Sequence, residues 1–152
     1  MVEEGKPAPD FELTSDSGER VKLSSLRGKP VVLYFYPKDD TPGCTTQACG
    51  IRDIYSDFRE LGAVVFGVSP DDEASHARFR QKYSLPFTLL ADPDHKVAEE
   101  YGVWKERKLY GKTSMGIERS TFVIDADGTV AKAMRRVKPE THAQHVLEAL
   151  AA

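Results

Sequence analysis

Apolar and polar side chains alternate near the beginning of the chain. Residues 11–14 and 20–23 alternate on either side of Ser15-Asp16-Ser17-Gly18, whose side chains favour a turn. Near the end of the chain, residues 120–125 and 129–136 flank a second turn, Ala126-Asp127-Gly128. The pattern therefore predicts an N-terminal β-hairpin and a late β-hairpin.

Two other stretches are continuously apolar, residues 31–36 and 63–68, which is typical of strands buried on both faces of a parallel sheet. Apolar residues three or four positions apart, together with Gly and acidic residues at the ends, predict the helices. The predicted helices cover 45–61, 70–83, a short segment capped by Asp92-Pro93-Asp94 that ends at Tyr101, and 139–150. Residues 87–90 are predicted as a short strand, and residues 102–118, mixed in charge, as a loop or broken helix.

This order of elements predicts an α/β fold in one domain over residues 1–152. The strands that flank a helix in the first half run parallel with a right-handed crossover, and the late hairpin adds antiparallel strands. The expected architecture is therefore a three-layer α/β/α arrangement with a central mixed sheet and an N-terminal β-hairpin.

Charge and composition exclude several classes of protein. The 152 residues carry a net charge of -3 without a long run of one sign, which argues against nucleic acid or an acidic membrane surface as partner. No apolar run approaches the roughly 20 residues of a membrane span, and no apolar N-terminal segment precedes the first strand. We therefore expect a cytoplasmic protein without a membrane partner.

Both cysteines, Cys44 and Cys49, lie in the stretch 37–49 between the apolar run and the first predicted helix. A helix N-terminus stabilises a thiolate, the nucleophilic form of cysteine, through its free backbone N–H groups and dipole. The alternative is that Cys44 is an ordinary small buried apolar residue. The Pro- and Gly-rich turn before Cys44 favours the reactive thiol.

The two cysteines are five positions apart, which on a regular helix separates their Cα atoms by roughly 8–9 Å. A disulfide requires about 4.4–6.8 Å, so the helix would have to unwind before they could bridge. Gly43 and Gly50 tolerate such unwinding. Cys44 could thus be oxidised first and Cys49 could capture it after local opening.

Other residues are candidates for the same site. Thr41 lies three positions before Cys44, where its hydroxyl could reach the thiolate or a small oxygen ligand, although a turn or N-cap role is commoner. Pro37 and Pro42 stiffen the loop. Arg119 precedes the strand that starts at residue 120, and its guanidinium could stabilise a thiolate and polarise a leaving oxygen, although alone it resembles a surface arginine.

The spacing argues against other cysteine chemistries. The C-x₄-C pattern differs from the C-x-x-C of thioredoxin-type dithiol enzymes, and two cysteines with four scattered histidines do not form a structural zinc pattern. His142 and His145 are expected to be solvated helix residues. A cysteine protease needs a histidine base near the thiol, which the sequence neither supports nor excludes.

Several motifs resemble the peroxiredoxin family, and in particular its bacterioferritin comigratory protein or peroxiredoxin Q subfamily. Pro37-x-x-x-Thr41-x-x-Cys44 matches the peroxiredoxin active-site pattern. The similarity spans nearly the whole chain in the right order. The matching segments are residues 41–49 with Arg52-Asp53, Tyr101-Gly102-Val103-Trp104, Tyr110-Gly111-Lys112 and residues 119–125.

The resemblance implies a thioredoxin-like fold and a thiol peroxidase that reduces hydrogen peroxide and organic hydroperoxides. Cys44 would be the peroxidatic cysteine and Cys49 the resolving cysteine of an intramolecular disulfide. Arg119 and Thr41 would stabilise the thiolate and align the peroxide, and Pro37 would shield the site. Thioredoxin or a similar dithiol protein would recycle the enzyme, which would be a monomer without metal, haem or flavin.

Two other functions stay open at this point. A dithiol–disulfide oxidoreductase of the same fold would use the two cysteines without specific peroxidase activity. In a non-catalytic binding module, the two cysteines would have no functional role. Trp104, the single tryptophan, is expected to report on the redox state of the site.

Overall fold

The computed structural model describes residues 2–151, apart from the side chains of residues 107 and 109. Within this range, nine strands and five α-helices follow one another along the chain. The strands are β1 (Glu12–Ser15), β2 (Arg20–Lys22), β3 (Val31–Phe35), β4 (Val64–Ser69), β5 (Thr88–Ala91), β6 (Trp104–Leu109), β7 (Lys112–Ile117), β8 (Ser120–Ile124) and β9 (Val130–Arg135). The helices are α1 (Pro42–Asp53), α2 (Tyr55–Glu60), α3 (Glu73–Tyr83), α4 (Lys96–Glu100) and α5 (His142–Ala151).

Seven strands form one mixed sheet in the order β2-β1-β5-β4-β3-β8-β9. Strand β3 is parallel to β4 and antiparallel to β8, with Phe35 opposite both Val68 and Ser120. The N-terminal hairpin joins the sheet because β1 pairs antiparallel with β5. The predicted central mixed sheet and N-terminal hairpin are therefore confirmed.

The side chains of β3 point alternately into two cores, which explains why its sequence is continuously apolar. Val31, Leu33 and Phe35 pack on one face with residues of α4. Val32 and Tyr34 pack on the other face with residues of α1, α3 and α5. Helices thus cover both faces of the sheet, and the predicted three-layer α/β/α architecture is confirmed.

The helix predicted over residues 45–61 is instead two helices. The first begins earlier, at Pro42, because Thr41 is extended and proline fits the first helical position. It ends at Asp53, and the backbone of the next residue, Ile54 (φ -119°, ψ 23°), separates α1 from α2. Ile51 and Phe58 both stay buried across the break, so the apolar periodicity does not reveal it.

The prediction of a loop or broken helix over residues 102–118 is wrong, because this segment contains the hairpin β6–β7. The two strands form a separate two-stranded sheet, and Trp104 pairs with Ile117 at its base. Tyr110 and Gly111 in the turn both have positive φ, 52° and 75°, as a tight hairpin turn requires. The start of β7 is exposed, so no apolar alternation marks it in the sequence.

The remaining helix starts differ slightly from expectation. Helix α3 starts at Glu73, after Asp72 accepts a 2.8 Å hydrogen bond from the backbone N–H of Ser75. The N-cap of α4 is His95, which lies one residue after the predicted capping segment. Asp92, within that segment, accepts from the backbone N–H groups of Val97 and Ala98. Helix α5 begins at His142, three residues later than expected. Over the described residues, no helix combines the length and the apolar character that crossing a bilayer demands.

Candidate active site

Cys44 lies in the first turn of α1, at the third helical residue after the N-cap Thr41. Its side chain is almost fully buried, 1% exposed, and packs in the core between α1 and the sheet with Tyr34 and Tyr36. The predicted helix start at this cysteine is therefore present. Cys44 is also buried, as the alternative of an ordinary small apolar residue leads one to expect. A reactive thiol is distinguished from an ordinary buried cysteine by the charge beside its sulfur.

The guanidinium of Arg119 reaches that sulfur. Its Nη1 donates a hydrogen bond to Sγ of Cys44 at 3.4 Å and another to Oε1 of Gln47 at 2.5 Å. Arg119 can do so because β8 is the direct neighbour of β3 and pairs Ser120 with Phe35, near the loop that leads to Cys44. A positive charge is thus held beside a buried sulfur.

Gly43 makes this approach possible. A Cβ at this position would lie 3.1 Å from Nη2 of Arg119 and 3.5 Å from Cγ of Pro139. The glycine therefore leaves room for the guanidinium, in addition to the backbone freedom that the sequence suggests.

Gln47 is a site residue that sequence reasoning missed. It is fully buried, one helical turn after Cys44, and accepts from Arg119. Its Nε2 has no hydrogen-bond partner among the described residues. The available signal was its spacing, because a polar residue at i+3 shares the helix face of the cysteine.

Pro37 and Arg119 come together at one cavity. Both line a space of about 370 Å³ whose wall also includes Ile117 and Val137, with the charged residues Lys105, Glu106, Glu118 and Arg136 around it. Thr41 is half-buried, and its hydroxyl donates to the carbonyl oxygen of Lys38 at 2.9 Å. The Thr41 hydroxyl thus makes a hydrogen bond within the turn, which is the second of the two roles considered for it from the sequence.

Cys49 is half-buried in the second half of the same helix, and both cysteines are free thiols. The two residues therefore lie on one continuous helix, as the estimate of their Cα–Cα separation from the sequence assumed. A disulfide between them requires α1 to unwind.

The loop between β3 and α1 is tied to α3 by two carboxylates. Asp39 is buried and accepts from the Tyr36 hydroxyl at 2.5 Å, from Nδ1 of His76 at 2.7 Å and from the Ser75 hydroxyl at 2.8 Å. Asp40 accepts from Nζ of Lys82 and from the Tyr83 hydroxyl, each at 2.7 Å. These two hydrogen bonds lower the pKa of the Asp40 carboxyl.

The expectation that His142 is solvated is wrong, whereas His145 is exposed as expected. His142 is fully buried at the start of α5, with Nε2 hydrogen-bonded to the Thr121 hydroxyl at 2.5 Å. Burial lowers the pKa of His142 to about 3, and the positive charges of Arg119 and His145 act in the same direction. This imidazole is therefore neutral at pH 7.

Known proteins similar to this chain match it over most of its length. The family model described as AhpC/TSA matches residues 4–133. Peroxiredoxin Bcp of Bacillus subtilis is 54% identical over 149 residues, covering 98% of this chain and 95% of that protein. Peroxiredoxin Bcp of Escherichia coli K12 is 46% identical over 143 residues, covering 94% and 92%. The solved structure of the Xanthomonas campestris bacterioferritin comigratory protein, studied for its alkyl peroxide reduction activity, superposes with a TM-score of 0.92 at 38% identity and 98% coverage of both chains.

The chain therefore belongs to the AhpC/TSA family. Its resemblance to the bacterioferritin comigratory protein and peroxiredoxin Q subfamily is confirmed, together with the thioredoxin-like fold. The activity is that of a thiol peroxidase, which consumes a peroxide and a thiol reductant, and the alternative of a disulfide oxidoreductase without peroxidase activity is not supported.

Proposed function

We propose that Cys44 is the peroxidatic cysteine of this thiol peroxidase and that Cys49 resolves it. The observation that carries the proposal is the 3.4 Å hydrogen bond from Arg119 to the Cys44 sulfur at the start of α1. Among the described residues, both cysteines belong to one helix, so the second thiol is close in sequence but held apart by helical geometry.

The first step is a nucleophilic displacement at oxygen. The Cys44 thiolate attacks one peroxide oxygen, an S–O bond forms and the O–O bond breaks, which leaves a sulfenic acid and releases water or an alcohol after protonation. The Arg119 guanidinium stabilises both the thiolate and the charge that develops on the leaving oxygen. Thr41 aligns the peroxide once its hydroxyl turns from Lys38, and Pro37 shields the cavity from water.

The second step joins the two sulfurs. After α1 unwinds, the Cys49 thiolate attacks the sulfenic sulfur, the S–S bond forms, and the S–O bond breaks with loss of hydroxide, which leaves as water. A dithiol reductant then attacks the disulfide and becomes oxidised itself. Thioredoxin or a similar dithiol protein fits this role, since it supplies both electrons in one encounter, and no metal, haem or flavin takes part.

The substrate range, assembly state and location belong to the same proposal. The alkyl peroxide activity of the Xanthomonas campestris relative supports organic hydroperoxides as substrates beside hydrogen peroxide. We expect a monomer in the cytoplasm, since an intramolecular disulfide needs no second subunit and a reducing compartment regenerates the thiols. A single species at the 16.9 kDa of one chain in solution would support this assembly state.

Two cysteine variants test the assignment. Cys44→Ser is expected to abolish peroxide turnover, since serine is not ionised at neutral pH. Cys49→Ser is expected to allow one oxidation, with a sulfenic acid that a selective nucleophile traps, and to lose recycling by a thioredoxin system. Mass spectrometry of the products decides between outcomes, because trapping at Cys49 in Cys44→Ser would reverse the assigned order.

A further inference from the structure

Tyr83, the last residue of α3, is bonded to both ends of the segment that carries the two cysteines. Its hydroxyl donates to Oδ1 of Asp40 at 2.7 Å. Its backbone carbonyl accepts from Nη1 of Arg52 at 2.8 Å. Asp40 lies just before α1 and Arg52 in its last turn, so these two contacts bracket Cys44 and Cys49.

Tyr83 itself is held in place. Its ring packs edge-on against Phe79, with 5.5 Å between the ring centroids, and Phe79 is buried in the core. The chain then leaves α3 through Ser84 in a left-handed conformation, φ 52°. Helix α3 thus presents a fixed hydroxyl and a fixed carbonyl to α1.

The Asp40 contact also stabilises an unfavourable backbone. Asp40 has φ 58°, a conformation that a non-glycine residue adopts at a cost. The bonds from Tyr83 and Lys82 to its carboxylate offset that cost. The Arg52 contact differs, because the Arg52 side chain is 34% exposed and can leave the carbonyl for water.

We propose that Tyr83 is a positioning residue for the resolving step, because it clamps both ends of α1 and so sets the fraction of molecules in which α1 is unwound. The inference rests on the proposed roles of Cys44 and Cys49. Disulfide formation should proceed at a rate proportional to the unwound fraction. Weakening the clamp should therefore accelerate resolution.

The test uses rapid mixing of the reduced protein with excess hydrogen peroxide, which separates a peroxide-dependent phase from a first-order phase of disulfide formation. Arg52→Met keeps the aliphatic stem and removes the charged donor, and the first-order rate should rise roughly tenfold. Tyr83→Phe removes only the hydroxyl contact, and that rate should rise about threefold. The peroxide-dependent rate should change less than about twofold.

Matched controls distinguish the effect of losing a Tyr83 contact from the effect of losing any guanidinium or any hydroxyl group. Arg59→Met removes an exposed guanidinium from α2, and Tyr110→Phe removes an exposed hydroxyl from the β6–β7 turn. Neither should change the first-order rate. An unchanged or slower first-order phase in Arg52→Met would overturn the proposal.

Hydrogen exchange of the reduced protein gives a second readout that does not depend on catalysis. In Arg52→Met the amides of residues 45–53 should exchange faster while those of β3 and β8 keep their protection. Equal acceleration in the sheet would indicate general destabilisation and would also overturn the clamp. If Cys49→Ser retains the first-order phase, the proposed resolving role fails instead, and the exchange data alone decide the clamp.

Discussion

Apart from their shared contacts with Tyr83, the two ends of α1 are held in different ways. Near the first turn, Cys44 and Gln47 are buried and hydrogen-bonded to Arg119, which directly precedes central strand β8. At the last turn, Arg52 is partly exposed and contacts one carbonyl of α3. The first contact cannot open without disturbing the core, whereas the second can break locally.

Under the roles proposed for Cys44, Cys49 and Arg119, this difference assigns separate tasks to the two halves of one helix. The fixed half holds the Cys44 sulfur and the Arg119 guanidinium at a constant relative position, which transition-state stabilisation requires. The releasable half lets Cys49 approach after the oxidation. Changes at the two ends of α1 should therefore alter different steps of the reaction.

The largest effect is expected at Arg119. Arg119→Met should lower the second-order rate constant with hydrogen peroxide by roughly 10²–10³, because a charged donor aimed at the reacting atoms is lost. Stopped-flow loss of free thiol at pH 7 measures it. Arg136→Met is the control, since Arg136 lines the same cavity but its side chain is 85% exposed. Equal losses in both variants would contradict a specific role for Arg119.

The next effect concerns His142, which is buried at the start of α5 against Tyr34 of β3. Its pKa is lowered to about 3 in the folded protein, so the unfolded chain takes up a proton first as the pH falls below about 6.5. The folded state should therefore lose about 2 kcal/mol of stability between pH 7 and pH 5. Denaturant unfolding at several pH values measures this slope.

The matched variants are His142→Gln and His145→Gln. The first should remove the contribution of His142 to the slope, even if it lowers stability at pH 7. The second replaces an exposed histidine of the same helix and serves as the control. An unaltered pH dependence in His142→Gln would show that the buried imidazole is not the group responsible.

The smallest effects come from the two glycines of α1, which should act in different steps. Gly43→Ala places a Cβ 3.1 Å from Nη2 of Arg119, and the displaced guanidinium should lower the peroxide rate about tenfold. In Gly50→Ala the new Cβ would meet Ala143 at an ordinary 3.6 Å. Here alanine should stabilise the helix and slow disulfide formation about two- to fivefold.

Single-turnover kinetics of both glycine variants measure the two phases side by side. The comparison between the helix ends predicts that Gly43→Ala changes mainly the peroxide-dependent phase and Gly50→Ala mainly the first-order phase. If each variant slowed both phases by the same factor, the two ends of α1 would not be functionally separate.

The features that could be predicted from the sequence are those determined by neighbours along the chain. Residues 31–36 form a buried strand because their apolar run has no polar break, and Pro42 with Gly43 indicates a helix start beside Cys44. Hairpin β6–β7 was missed because its exposed residues 112–115 show no alternation.

The contacts that escaped prediction join residues far apart in the chain. Arg52 and Tyr83 are 31 positions apart, and Asp40 and Tyr83 are 43 apart. His142 meets Thr121 only because α5 packs on β8. Arg119 could be placed before a strand from the sequence, but its position beside Cys44 follows from the strand order of the sheet.

The separation of Cys44 and Arg119 by 75 residues has a consequence for synthesis on the ribosome. A nascent chain that has emerged only through β5 already contains both thiols but lacks the guanidinium, and β3 still lacks its neighbour β8. At about 5–20 residues per second, several seconds pass between the emergence of the sulfur and that of its cation. Under the role proposed for Arg119, the Cys44 thiol therefore acquires its reactivity only late in translation, and chains that terminate early lack the activating cation.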